Sequence, residues 1–236
     1  MSCDSGPNAM ATDELLLELA EKEICSLRFY TWTEPTVSLG YFQSSSLITN
    51  SETLKVLPWV RRTTGGEALV HHHELTYALG MPLKIAGHKS TVWQEKIHLV
   101  IREALSNLGV IQSEINLPEL RNDPGKLLCF HHHAPQDLTI NRNKILGSAQ
   151  RKRKTGIIQH GGILLAQSKY TPSLPGILEL TGIRLDAEIL RLEIIKVWGH
   201  SLDWVFNESD WTREEKERIM VLENARFGNA AWNTKR

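Results

Sequence analysis

The amino-acid sequence points to an α+β fold with mixed, mostly antiparallel sheets flanked by helices. Helical periodicity and short β-rich runs arrive in blocks, in the order helix, strands, helix, strands, helices, and not in the regular alternation that winds a parallel sheet. The 236 residues are 41% hydrophobic and 23% charged, which supplies one sizeable core and lies far from the composition of a disordered or fibrous chain. No internal repeat, low-complexity segment or linker divides them, so residues 1–236 are expected to form a single domain.

The first element is expected over residues 9–23, where Leu16, Leu19, Ala20 and Ile24 recur at helical spacing with acidic residues between them. Five runs rich in β-branched and aromatic residues follow, at 28–32, 36–41, 59–62, 68–70 and 75–81. Pro35, Gly40, Pro58 and the Gly65-Gly66 pair separate them, as expected for the strands of a sheet. From Ser90 the period changes. Ile97, Val100, Ile101, Ala104, Leu105 and Leu108 follow a helix, Thr91 and Gln94 match a capping box, and Gly109 supplies the stop. Residues 112–126 are polar and carry Pro118, Pro124 and Gly125, so they read as a loop. A meander is expected next, with strands at 127–130, 137–140, 144–149, 157–160 and 163–165 and a turn at Asn141-Arg142-Asn143. Beyond Pro172 and Pro175, the spacing of Ala187, Leu190, Ile194, Val197 and Trp198 gives a helix. Thr212 with Glu215 caps a last helix through Arg218 and Leu222.

Charge narrows the partners. Twenty-seven Lys and Arg balance twenty-seven Asp and Glu, so no global field draws the chain to nucleic acid or an anionic membrane. The longest apolar runs, such as 15–17 and 163–166, fall far short of the roughly 20 residues of a membrane helix. The amino end lacks the basic region of a secretory signal, and a cytoplasmic location is expected. Cys3, Cys25 and Cys129 are too few and odd in number for a disulfide framework and are read as thiols.

Four groups of residues attract a chemical reading. Arg61, Arg62, Thr63 and Thr64 precede Gly65-Gly66, where glycine backbone allows close approach to a ligand and arginine offers paired donors to an anion; a plain hairpin with charged flanks is the alternative. Cys129 is either a small core hydrophobe or a nucleophile. Lys144, on a nearby strand of the same meander, favours the second use, because a neighbouring cation favours thiolate. The triplets His71 to His73 and His131 to His133 invite a metal reading. Only His71 and His73 would share a strand face, and no Asp or Cys completes a set at ligand spacing, so no metal is expected. Arg151, Lys152, Arg153 and Lys154 form a basic run without interleaved aromatics, better suited to an acidic protein than to nucleic acid.

Several segments together resemble one superfamily. They are Asn8-Ala-Met-Ala-Thr-Asp-Glu14, Val37-Ser-Leu-Gly-Tyr-Phe-Gln43, Arg61-Arg-Thr-Thr-Gly-Gly-Glu-Ala68, Glu74-Leu-Thr-Tyr77, Lys144-Ile-Leu-Gly-Ser-Ala-Gln-Arg151 and Gln159-His-Gly161. In this order, over nearly the whole chain, they look like the biotin/lipoate ligase superfamily. The resemblance implies a single ligase-like catalytic domain without the accessory carboxyl-terminal domain of many lipoate ligases. The wording of residues 38–43 and 74–77, with Cys129-Phe130 where an acyl-accepting cysteine is expected, is most similar to the octanoyltransferases that resemble lipoate ligases. The triple histidines depart from the family pattern.

That resemblance implies a mechanism. Cys129 would attack an octanoyl thioester on acyl carrier protein and pass the acyl group to a lysine of a lipoyl domain, on a 2-oxoacid dehydrogenase or the glycine cleavage H protein. Lys144 would stabilise thiolate or orient the carbonyl. Arg61, Arg62, Gly65, Gly66 and His71 would line the acyl and pantetheine tunnel, with Gly147, Ser148 and Ala149 on its opposite wall. The basic run 151–154 would dock an acidic carrier or lipoyl domain. No cofactor is implied. The rival reading is an ATP-dependent lipoate–protein ligase, needing ATP and Mg, with Cys129 incidental; an amidotransferase moving octanoyl between lipoyl proteins and a non-catalytic acyl-binding paralogue complete the alternatives.

Overall fold

The computed structural model describes residues 1–236 except 88–89, 116–127 and 132–133, and the backbone only at Ser90 and Thr91. In chain order the elements are β1 (Ser2–Asp4), α1 (Gly6–Glu21), β2 (Ser26–Trp32), β3 (Thr36–Leu39), α2 (Ser46–Thr49), β4 (Trp59–Arg61), β5 (Leu69–His71) and β6 (Glu74–Pro82). Then come α3 (Leu83–Ala86), α4 (Ser90–Asn107), β7 (Glu114–Ile115), β8 (Leu138–Ile140), β9 (Asn143–Lys152) and β10 (Gly156–Leu164). The chain closes with α5 (Ile177–Thr181), α6 (Ala187–Leu202), α7 (Arg213–Leu222) and α8 (Ala230–Asn233).

Two sheets result. The larger runs β1-β2-β6-β10-β9-β8-β7 and is antiparallel except at the β1–β2 edge; the smaller runs β4-β3-β5, with β3 parallel to β4. Alternation along the strands of the larger sheet feeds two cores. From β6 and β10, Leu75, Tyr77, Leu79, Met81, Ile157 and Ile163 join Ile97, Ile101 and Leu105 of α4 and Leu190, Ile194 and Trp198 of α6. From the same strands Ala78 and Ile158 join Leu16 and Leu17 of α1 and Ile219, Leu222 and Phe227. A third core, with Val37, Leu39, Val70 and Phe130, belongs to the smaller sheet.

The first helix is more deeply set than an amphipathic surface helix. Ser5 caps it from its side chain to Asn8 N (3.4 Å), Pro7 occupies the first turn, and residues 9–17 are buried throughout. It packs between the larger sheet and α7, so Asp13 and Glu14 enter the interior with it. Three other expectations change. The expected strand at 127–130 is instead a single bridge, Ala68 to Leu128, followed by a 3₁₀ turn over Cys129–His131. Cys129 N donates to Ala68 O (2.8 Å) and His131 N to Leu128 O (3.0 Å), so the chain touches the small sheet once and turns away. The expected strands 157–160 and 163–165 are one strand, because Gly161 and Gly162 continue the ladder without a break. The expected loop after Gln112 contains the short β7, and its remainder lies outside the described residues. The capping box at Thr91 lies outside the described side chains. The turn after Ile140 and the Thr212–Glu215 capping box form as expected, the turn with Asn141 and Arg142 both left-handed (φ 49° and 64°).

Candidate active site

A narrow cavity, partly open to solvent, lies between the two sheets. One wall is Gly147, Ser148 and Ala149 of β9 with Gly161 and Gly162 of β10; facing it are Arg62, Gly66, His71 and, at the rim of the 3₁₀ turn, Cys129 and Phe130. The deep end is closed by Met10, Tyr30 and Thr76.

Cys129 and Lys144 meet at this wall. The Lys144 Nζ lies 3.8 Å from the Cys129 sulfur and 3.4 Å from its carbonyl oxygen, and it pairs with Asp137 Oδ2 at 2.8 Å. Asp137 is itself held by Ala134 N (2.7 Å). A bulge in the β8–β9 ladder leaves Ile145 unpaired between Lys144 and Leu146, which re-aims the neighbouring side chains. Gly147 leaves the space the ammonium fills, since a Cβ there would stand 2.7 Å from Nζ. Burial alone would push the Lys144 ammonium down, but the neighbouring Cys129 and Asp137 carry it above the ordinary lysine range, so it stays charged.

Arg62 organises the Gly-Gly turn. Its guanidinium donates to Ser38 O (2.9 Å), Ser38 Oγ (3.1 Å), Thr64 Oγ1 (3.2 Å), Gly65 O (2.9 Å) and Glu67 O (2.7 Å). Burial lowers its pKa to about 10, leaving it charged at neutral pH. Gly66, at φ +83°, supplies the left-handed residue the turn needs.

Two histidine–carboxylate pairs extend this network along the cavity. His71 stacks on Trp32 (centroids 3.8 Å apart), with Nδ1 at 2.7 Å from Glu74 and Nε2 at 2.8 Å from Ser38 Oγ. His160 binds Asp13 through Nδ1 (2.7 Å) and Thr64 Oγ1 through Nε2 (2.7 Å), and the Tyr30 hydroxyl also reaches Asp13 (3.3 Å).

Not every expected residue gathers here. Arg61 is fully buried, but its guanidinium faces the other way, donating to the carbonyls of Gly40, Tyr41, Gln43 and Asn233, and it does not line the cavity. Gly65 stands behind the rim against Phe42. The basic run divides. Arg151 donates to Thr63 O (2.8 Å), Arg153 pairs with the buried Glu14 and with Glu21, and only Lys152 and Lys154 are exposed. Cys3 and Cys25 are exposed and outside the cavity. His72 stacks on His73 and reaches Ser168, His131 reaches Ser173, and His132 and His133 lie outside the described residues. Among the described residues no group of three or more His, Cys, Asp or Glu gathers to hold a metal.

Sequence reasoning assigned no role to Ser38, Asp13 or His98. Asp13 sits inside the Asn8 to Glu14 motif, among acidic residues that gave no local sign of which would be buried. His98 did carry a signal: it stands next to Ile97 and three residues before Ile101, on the apolar face of the most regular helix.

A sulfhydryl thus stands beside a buried ammonium, on the wall of a cavity lined by small residues between two sheets, a setting that favours thiolate. The sequence matches the lipoyl protein ligase A/B catalytic domain over residues 5–178, and the chain belongs to that family of enzymes. Among curated relatives, octanoyltransferase LipM of Clostridioides difficile is 29% identical, with 98% of this chain and 95% of the relative aligned. Octanoyltransferase LipM of Geobacillus kaustophilus is 31% identical over 96% of this chain and 93% of its own length. Among solved structures, lipoate-protein ligase A bound with ATP superposes with a TM-score of 0.79 at 18% identity, covering 99% of this chain and 96% of the other. The bi-partite lipoate protein ligase of Thermoplasma acidophilum gives 0.74 at 17%, covering 99% and 94%. These likenesses show the fold: one lipoate ligase-like domain with mixed sheets and flanking helices. Among the described residues no helix is long and apolar enough to cross a membrane.

Proposed function

We propose that the protein moves an octanoyl group from acyl carrier protein to a lysine of a lipoyl domain through a thioester on Cys129. The observation that carries this reading is the Cys129–Lys144–Asp137 arrangement, with sulfur and ammonium 3.8 Å apart at the cavity wall. The octanoyltransferase relatives and the lipoate ligase fold support it.

In the first half-reaction the Cys129 thiolate attacks the carbonyl carbon of the octanoyl thioester. The new C–S bond forms, the bond to the carrier's pantetheine sulfur breaks, and that sulfur leaves with a proton, for which the Lys144 ammonium is the nearest donor. In the second, a neutral lysine amine attacks the acyl-cysteine, the amide forms, the C–S bond to Cys129 breaks, and the proton lost by the amine passes to the Lys144 amine, restoring the ammonium beside the Cys129 thiolate. The first step exchanges one thioester for another and the second runs downhill from thioester to amide, so neither ATP nor a metal is required. Small residues at 147, 149, 161 and 162 leave room for an apolar chain, and Arg62 and His71 hold the opposite wall. Lipoyl domains of 2-oxoacid dehydrogenases or the glycine cleavage H protein are the expected acceptors, and the cytoplasm the expected place of reaction.

Intact-mass analysis after mixing the protein with octanoyl acyl carrier protein, without ATP, tests this directly. An octanoyl adduct is expected on the wild type and not on Cys129→Ser. Lipoyl-domain modification that appears only with ATP and free octanoate would replace the transferase reading with the ligase one.

A further inference from the structure

Behind the small-residue wall lies a fully buried histidine that neither half-reaction uses. His98, on α4, places Nδ1 2.6 Å from Gln136 O and Nε2 3.0 Å from Ser148 Oγ. A carbonyl oxygen only accepts, so Nδ1 carries the ring proton. Burial lowers the ring's pKa to about 4, against an upward pull from the Gln136 carbonyl and with help from the Lys144 charge. In the neutral ring Nε2 is a bare acceptor, and Ser148 therefore donates its hydroxyl proton to His98.

A chain of hydrogen bonds runs beside Ser148, across its own and the neighbouring strands. Gln150 Nε2 donates to Gln159 Oε1 (2.6 Å), and Gln159 Nε2 donates to the Tyr77 hydroxyl oxygen (2.7 Å). Gln159 thus occupies a lone pair of the Tyr77 hydroxyl, next to Ser148. Ser148 has its proton on His98. It lines the cavity, and its hydroxyl oxygen keeps lone pairs able to receive a hydrogen bond, with no proton left to give one. A thioester carbonyl gains nothing from such a group; an amine N–H does.

The opposite ring nitrogen reaches the thiol's partner. Gln136 adopts a left-handed backbone (φ 74°), sparsely populated outside glycine, and its carbonyl receives His98. The next residue is Asp137, which holds Lys144 beside Cys129. We propose that His98 is a positioning residue with two separable tasks. Through Nδ1 it holds the turn that sets the Lys144 ammonium beside Cys129; through Nε2 it makes Ser148 an acceptor for the N–H of the incoming lysine amine. This rests on the transfer reaction proposed above.

Two substitutions separate the tasks. In His98→Asn the side-chain amide nitrogen takes the place of Nδ1 and still donates to Gln136 O, but Ser148 loses its acceptor. In His98→Gln an amide oxygen reaches the place of Nε2, while Gln136 O loses its donor. Cys129 acylation by octanoyl carrier is followed by intact mass, decay of the isolated acyl-enzyme on adding a lipoyl domain gives the second step, and iodoacetamide alkylation across pH reports on the thiol. His98→Asn is expected to acylate within about twofold of wild type and to slow acyl-enzyme decay about tenfold or more. His98→Gln is expected to slow both alkylation and acylation at neutral pH, with decay nearer to wild type. Equal effects of the two variants on both half-reactions, or no effect of either, would overturn the proposal. Should His98→Asn fail to fold, Ser148→Ala tests the same second-step defect, and unimpaired decay in that variant is equally fatal. A wild type that forms no adduct at all overturns the transfer reaction instead, a result distinguishable from any of these.

Discussion

Arg61 and Arg62 are adjacent and identical in chemistry, yet the fold gives them opposite duties, because successive residues at a strand end face opposite sides. Arg61 stitches loop carbonyls together; Arg62 braces the Gly-Gly turn from the cavity side. The motif around them was legible in the sequence, but not which guanidinium faces the ligand, since that depends on a strand, β4, of only three residues. Cys129 and Lys144 were legible as a pair from their common meander, although the cysteine proved to sit on a turn. Asp137, which fixes the ammonium, was visible only as the start of a strand. His98 yields a prediction at this scale. Its folded pKa of about 4 lies below the unfolded value of about 6.5, so the unfolded chain binds more protons between these limits. The resulting penalty is absent above pH 6.5 and grows as pH falls toward 4, to about 3 kcal/mol. Urea unfolding at pH 7 and pH 4.5 should reveal a loss of stability that is smaller in His98→Gln; equal losses in the two proteins would contradict the assignment.

Among the elements, α4, α6 and α7 were legible because each carries a complete local signal: a regular apolar period in the first two, a capping box in the last. The first helix was not legible in its true setting. Its acidic residues read as a solvated face, whereas Asp13 and Glu14 are buried and matched by Arg28 on the next strand and, from far along the chain, by His160, Arg153 and Arg226. Local periodicity holds no information about partners more than a hundred residues away. The β8–β9 hairpin was legible from Asn141-Arg142, but the sequence places arginine where the turn demands φ 64°. An L side chain there costs about 1 kcal/mol that glycine avoids, offset in part by glycine's greater unfolded entropy. Arg142→Gly should therefore raise the unfolding free energy by about 0.5 kcal/mol, read as a higher urea midpoint with an unchanged slope. A lower midpoint would mean that the arginine earns its place by a contact.

Over the whole molecule the charge is balanced, so docking must come from local patches. The hairpin between β9 and β10 offers one, but only in Lys152 and Lys154, because Arg153 is bound to Glu14 and Glu21. Reversing both lysines to glutamate should lower kcat/KM with octanoyl carrier protein about threefold to tenfold at low salt, the difference fading as salt rises. Octanoyl-pantetheine, which has no protein surface, should be used as before. A salt-independent loss with both donors would locate the defect in the cavity instead.

The clamp on Arg61 also sets when this part of the chain can be fastened during synthesis. Its backbone N–H and guanidinium bind Asn233, and Arg236 O receives Ser45 and Arg61, so the loop over residues 40–45 is secured by residues made some 170 to 190 positions later. A ribosome adds about 5 to 20 residues per second, so that loop stays unanchored for many seconds after Arg61 emerges. The strands of both sheets are completed in that interval, and Arg61 and Ser45 find these partners only once Asn233 and Arg236 have followed, so the fastening of this loop is among the later events in the folding of a growing chain.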